Sequence, residues 1–122
     1  MISFSGSLKI FLLVDCCEMR RGFNGNGAKG LYRLVSGSFG EDPRSGALYV
    51  FSNRRHTRIK VLYFDGTGLW ILSKRLERGT FSWPKPGQSD GPKLKLTPEA
   101  FAMLTDGVDL RGAKLRPWYE RE

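Results

Sequence analysis

The side chains best suited to chemistry in this sequence are arginines and lysines, and they come in clusters. Asn53-Arg54-Arg55-His56-Thr57-Arg58 sets three guanidinium groups and the only histidine of the chain within six residues. Lys74, Arg75 and Arg78 form a second cluster, and Arg111, Lys114 and Arg116 a third. A guanidinium stays charged at any physiological pH and offers a planar fork of donors that matches phosphate oxygens. The whole composition leans the same way: 122 residues carry 20 Lys plus Arg against 12 Asp plus Glu, a formal net charge of +8. Such an excess points to a polyanion, because each phosphate neutralised releases condensed counterions. On DNA the arginines and lysines of the three clusters would hold phosphates, while Asn53 and His56 are the side chains able to reach a base edge. The plain alternative is a solvated basic surface with no partner.

Other chemistries are short of parts. Two adjacent cysteines, Cys16 and Cys17, and one histidine cannot build a disulfide framework or a four-ligand zinc site, and neighbouring cysteines are strained as a bridge. No serine or cysteine stands beside a base and its orienting partner, so a nucleophilic triad has no support. Asp15, Glu18, Asp65 and Glu77 could hold two metal ions for phosphoryl transfer if the fold gathered them. Asp65, however, opens an Asp-Gly turn, and Glu77 lies between Arg75 and Arg78 as a surface pair would. Gly25-Asn26-Gly27-Ala28-Lys29-Gly30 spells G-x-G-x-x-G, but the preceding strand ends about ten residues too early for a dinucleotide fingerprint. No catalytic residue, metal ligand or cofactor is assigned. The longest apolar run, residues 10–14, is far too short to cross a membrane, and no cleavage site for a signal peptide follows it. Two free thiols suit a reducing cytoplasm.

These side chains need a scaffold, and 122 residues are enough for one core. Residues 8–14 are apolar on both alternating faces except at Lys9, which predicts a strand buried on both sides. Residues 18–35 show apolar positions near a 3.6 period, interrupted by Gly22, Gly25, Gly27 and Gly30, and predict a helix broken in its middle. Residues 36–46 read as a connector ending in the turn Asp42-Pro43-Arg44-Ser45-Gly46. Residues 47–51 and 59–64 are rich in β-branched and aromatic side chains and form a hairpin with the first arginine cluster at its tip. Asp65-Gly66 then turns the chain into Leu69-Trp70-Ile71-Leu72, completing an antiparallel meander in which Trp70 is expected in the core. Lys93-Leu94-Lys95-Leu96 reads as a half-exposed strand at the sheet edge. Thr97-Pro98-Glu99 starts a helix whose inner face is Phe101, Leu104 and Val108. The expected architecture is α+β: a single domain over residues 1–122 with its core at about 8–109 and a mobile basic tail over 110–122. The sheet is mainly antiparallel, with an N-terminal strand, a helix after it and a C-terminal helix.

Read in order, Met19-Arg20-Arg21-Gly22-Phe23, Leu48-Tyr49-Val50-Phe51-Ser52-Asn53-Arg54-Arg55, Ile59-Lys60-Val61-Leu62-Tyr63-Phe64-Asp65, Lys74-Arg75-Leu76-Glu77-Arg78-Gly79, Phe81-Ser82-Trp83-Pro84 and Asp109-Leu110-Arg111-Gly112 form a specific series. It resembles the TnpB accessory proteins, second-reading-frame products of the sixty-six class of bacterial insertion sequences, from Leu8 to Gly112. The resemblance implies a bacterial, non-catalytic helper in DNA transposition, acting beside a separate transposase encoded by the same element. Gly25, Gly27 and Gly30 depart from the more helix-friendly stretch of that family and weaken the helix expected after Met19. Direct contact with element ends or target DNA is inferred from the charge. The competing expectations are an adaptor that docks on the transposase without touching DNA and a metal-dependent nuclease.

Overall fold

Four consecutive apolar residues make β1 (Ile10–Leu13), and all four are buried because the strand is covered on both faces. The computed structural model describes residues 8–14, 28–84 and 93–107. β2 (Leu48–Ser52), β3 (Arg58–Phe64), β4 (Leu69–Arg75) and β5 (Lys93–Leu96) complete a five-stranded sheet of order β4-β3-β2-β1-β5. β2, β3 and β4 are the expected antiparallel meander, and β5 pairs antiparallel with β1 at the far edge. The fold is α+β, with one parallel pair that local sequence signals do not reveal: β1 runs alongside β2, Ile10 opposite Leu48. A parallel pair needs a long crossover, and the segment between these strands contains the first helix.

That helix, α1 (Ala28–Leu34), runs on through one π-helical turn, Val35–Phe39. Residues 36–39 therefore belong to the helical segment and not to the connector expected there. Ser36 Oγ donates to the carbonyls of Tyr32 or Arg33, which keeps a poor helix former inside the turn. Gly40, at φ 65°, ends the segment in the left-handed conformation that favours glycine, and its N–H donates to the Val35 carbonyl. The expected turn at Asp42 follows, with Arg44 N–H donating to Asp42 Oδ1 at 2.9 Å. The portion of the expected helix over 18–27 lies outside the described residues.

Two apolar layers sandwich the inner strands. On one face Leu31 and Val35 pack on Phe11, Leu13, Tyr49, Phe51 and Leu62. On the other, Leu104 of α2 (Pro98–Thr105) joins Phe81 and Trp83 over Ile10, Leu12, Val50 and Val61. Thr97 caps α2 as expected, its Oγ1 accepting from Ala100 N–H at 3.0 Å with Pro98 at the first position. Ala100 and Leu104 are its buried residues, Phe101 is half-buried, and Val108 lies outside the described residues. These covers reach β1, β2 and β3, and on β4 they engage Ile71 but leave Leu69, Trp70 and Leu72 open. Trp70 is accordingly not a core residue: it is 45% exposed, with Leu69 at 37% and Leu72 at 38%.

Candidate nucleic-acid interface

The first arginine cluster occupies the turn between β2 and β3, and Asn53 builds that turn. Its Oδ1 accepts from the N–H groups of Thr57 (2.9 Å) and Arg58 (3.1 Å), and its Nδ2 donates to Thr57 Oγ1 at 2.9 Å. The Asn53 carbonyl also accepts from His56 N–H at 3.1 Å. Asn53, expected to reach a base edge, thus has its side-chain amide hydrogen-bonded inside the turn that it braces. Arg54 and Arg55 are left exposed at the apex.

His56 turns inward as well. It adopts φ 56°, and its ring stacks on Trp83 at 5.5 Å between centroids and 17° between planes. Its Nδ1 lies 3.0 Å from Ser52 Oγ, which also donates to the Asn53 carbonyl at 2.8 Å. Burial in this setting lowers the imidazole pKa, so the ring favours its neutral form. A serine beside a histidine invites a nucleophile reading, but Ser52 is only 1% exposed and substrate has no approach to it. His56, expected at a base edge, is half-buried in this packing. Spacing alone pointed to neither contact, because Trp83 lies 27 residues further along the chain.

The second cluster returns to the same end of the sheet. Arg75, the last residue of β4, lies directly opposite Arg58, the first of β3. Past the strand, Leu76 N–H donates to the Thr57 carbonyl at 3.0 Å and Phe81 N–H to the His56 carbonyl at 2.6 Å, so residues 76–81 run beside the tip. Gly79, at φ 73°, makes the bend, with the exposed Arg78 before it. Hydrogen bonding alternates along an antiparallel ladder, and Thr57 with Leu76 is a bonded pair. Arg58 and Arg75 thus occupy a non-bonded pair, the kind in which side chains lie closest. Among the described residues, no carboxylate forms an ion pair with Arg55, Arg58, Arg75 or Arg78.

Lys74 does not join this group. It points to the α2 side of the sheet, and its Nζ donates to the Thr105 carbonyl at 2.6 Å, where the helix dipole is negative. The third cluster, Arg111, Lys114 and Arg116, lies outside the described residues. The sheet therefore gathers Arg54, Arg55, Arg58, Arg75 and Arg78 at one end.

The carboxylates take other roles. Asp65 Oδ1 accepts from Thr67 N–H (2.8 Å), Thr67 Oγ1 (2.9 Å) and Gly68 N–H (2.9 Å), and Oδ2 from Trp70 Nε1 (2.7 Å). These donors, led by the Thr67 backbone, hold its pKa well below the usual carboxylate range. Glu77 is exposed, and Asp15, Glu18, Cys16 and Cys17 lie outside the described residues. Among the described residues no group of three His, Cys, Asp or Glu is placed to hold a metal ion, and no helix is long and apolar enough to cross a membrane.

Fold and site together define a small α+β protein with an arginine-rich sheet end. The chain belongs to the family described as IS66 Orf2 like protein, whose model matches residues 8–115. That membership carries an accessory role in an insertion sequence. It is 35% identical over 117 residues to the uncharacterized protein y4jC of Sinorhizobium fredii (strain NBRC 101917 / NGR234), covering 96% of this chain and 93% of that one. A second protein of the same strain, the uncharacterized protein y4hO, is 29% identical over 111 residues, covering 91% and 90%. No solved structure matches the chain significantly.

Proposed function

We propose that this chain is a non-catalytic accessory protein of transposition that holds duplex DNA by its phosphates, through Arg54, Arg55, Arg58, Arg75 and Arg78. The observation that supports this reading most is the pair Arg58 and Arg75, set opposite each other without a carboxylate partner among the described residues. Like charges directly opposite destabilise a sheet, and a phosphate between them removes the penalty. Family membership supports a setting in an insertion sequence; on this reading a separate transposase of the same element carries out strand transfer. Arg111, Lys114 and Arg116 extend the surface if the tail returns to this end.

Fluorescence anisotropy with labelled duplex DNA, repeated across a salt series, tests the proposal. Affinity should fall linearly on a log–log plot, and the double variant Arg54→Ala/Arg55→Ala should lower the slope by about 2, since each phosphate contact contributes about 0.9. Absence of binding at low salt, or a slope indifferent to these arginines, rejects it. A complex with the transposase that survives nuclease would instead favour an adaptor meeting an acidic protein surface.

A further inference from the structure

The two edges of the sheet are built differently. β5 carries Lys93 and Lys95 in alternation, the device that discourages a second sheet from pairing there. β4 has no such protection over its first four residues, Leu69-Trp70-Ile71-Leu72. No proline or bulge interrupts its pairing with β3, and among the described residues no strand pairs with its outer edge. On this edge Asp65 Oδ2 accepts from the exposed Trp70 indole at 2.7 Å.

We propose that β4 is a self-pairing edge, through which a second copy of this chain adds antiparallel along Leu69–Arg75 about a two-fold axis at Leu72. The backbone phase allows it. Asp65 N–H donates to the Gly68 carbonyl at one end of the ladder and Leu76 N–H to the Thr57 carbonyl at the other. Alternation between them turns the polar groups of Trp70, Leu72 and Lys74 toward β3 and those of Leu69, Ile71, Ser73 and Arg75 outward. An axis at Leu72 pairs Ile71 with Ser73 and Leu69 with Arg75, so every outward group finds a partner and all seven residues overlap.

Charge selects this occupant and this direction. The strand is apolar in its first half and cationic at its end, with Lys74 and Arg75. Antiparallel pairing sets Lys74 opposite Trp70 of the other copy and Leu72 opposite itself, so no two cations face each other. It also carries each cationic end toward the Asp65 carboxylate of the other copy. Parallel pairing would stack the same cations on one another, and a two-fold contact closes without leaving a further edge of this type. The inference shares only Arg75 with the proposed DNA surface, and it uses that residue's backbone rather than its guanidinium.

Sedimentation of the full chain across a wide concentration range tests it. The mass should rise from monomer to dimer, and Leu72→Lys, which sets two like charges face to face on the axis, should weaken association by about tenfold or more. Ser73→Pro, which removes an outward N–H but no bond to β3, should do the same and serves if the first variant fails to fold. With Cys16→Ser and Cys17→Ser in place, Leu72→Cys should cross-link on mild oxidation and Ile71→Cys should not, because only the axial pair lies within disulfide reach. A chain that stays monomeric throughout, one whose dimer ignores both edge variants, or one that pairs this edge only with another protein overturns the proposal.

Discussion

Arg58 and Arg75 face each other across β3 and β4, one step inside the bonded pair formed by Thr57 and Leu76. In the absence of DNA each is a source of repulsion for the other. Replacing Arg75 with Thr should therefore stabilise the free protein by about 0.2–1 kcal/mol in urea denaturation. The same change should weaken DNA binding and reduce the salt slope by about 0.9. Stability and affinity move in opposite directions only if the pair serves a ligand.

The His56 imidazole has its pKa lowered by burial against Trp83. Below the ordinary histidine pKa of about 6.5 the unfolded chain binds a proton that the folded chain resists. Stability from this group is thus fully present above that value and is lost as pH falls through it toward the folded pKa. The melting temperature should drop between neutral and mildly acidic pH. His56→Asn keeps a residue tolerant of the left-handed backbone and should flatten that dependence, measured by thermal denaturation at each pH.

Asp65 closes the β3–β4 turn through three side-chain hydrogen bonds and holds the Trp70 indole through a fourth. Its lowered pKa means that this contribution is present above the usual carboxylate range and fades as pH falls through that range and below it. Asp65→Ala should lower the melting temperature at neutral pH and bring it closer to the acid value. With Trp83→Phe and Trp118→Phe in place, the same change should lower the fluorescence anisotropy of Trp70.

Tyr49 is fully buried, stacks on Phe11 at 5.8 Å and donates from its hydroxyl to the Asp42 carbonyl at 2.9 Å. Ser45 Oγ lies 2.9 Å from the same hydroxyl, and desolvation raises the phenol pKa. Tyr49→Phe keeps the ring but removes this hydrogen bond, leaving the Asp42 carbonyl with the Ser45 N–H alone, and should cost about 0.5–1.5 kcal/mol in chemical denaturation.

Most of the local scaffold was legible in the residues. Thr97-Pro98 announced α2, and Asp65-Gly66 announced the hairpin, because capping and turn chemistry act within a few bonds. The hairpin also carries the arginine pair: counting back from Asp65 and forward from Gly68 brings Arg58 to Arg75. Side-chain patterning read β1 correctly as buried on both faces.

Three features were decided only in the folded molecule. The parallel pairing of β1 with β2 depends on where a crossover helix lays its apolar face, which no local signal specifies. The burial of His56 depends on a tryptophan brought to it from 27 positions away. Trp70, an expected core residue by type, sits in the open because α2 and residues 81–83 cover the other strands on its face of the sheet and do not pack on it, while α1 engages Ile71 on the opposite face. Residue type and spacing set what each strand can bury; the placement of covering elements over long chain distances sets what each strand does bury, and with it which edge and which arginines remain accessible.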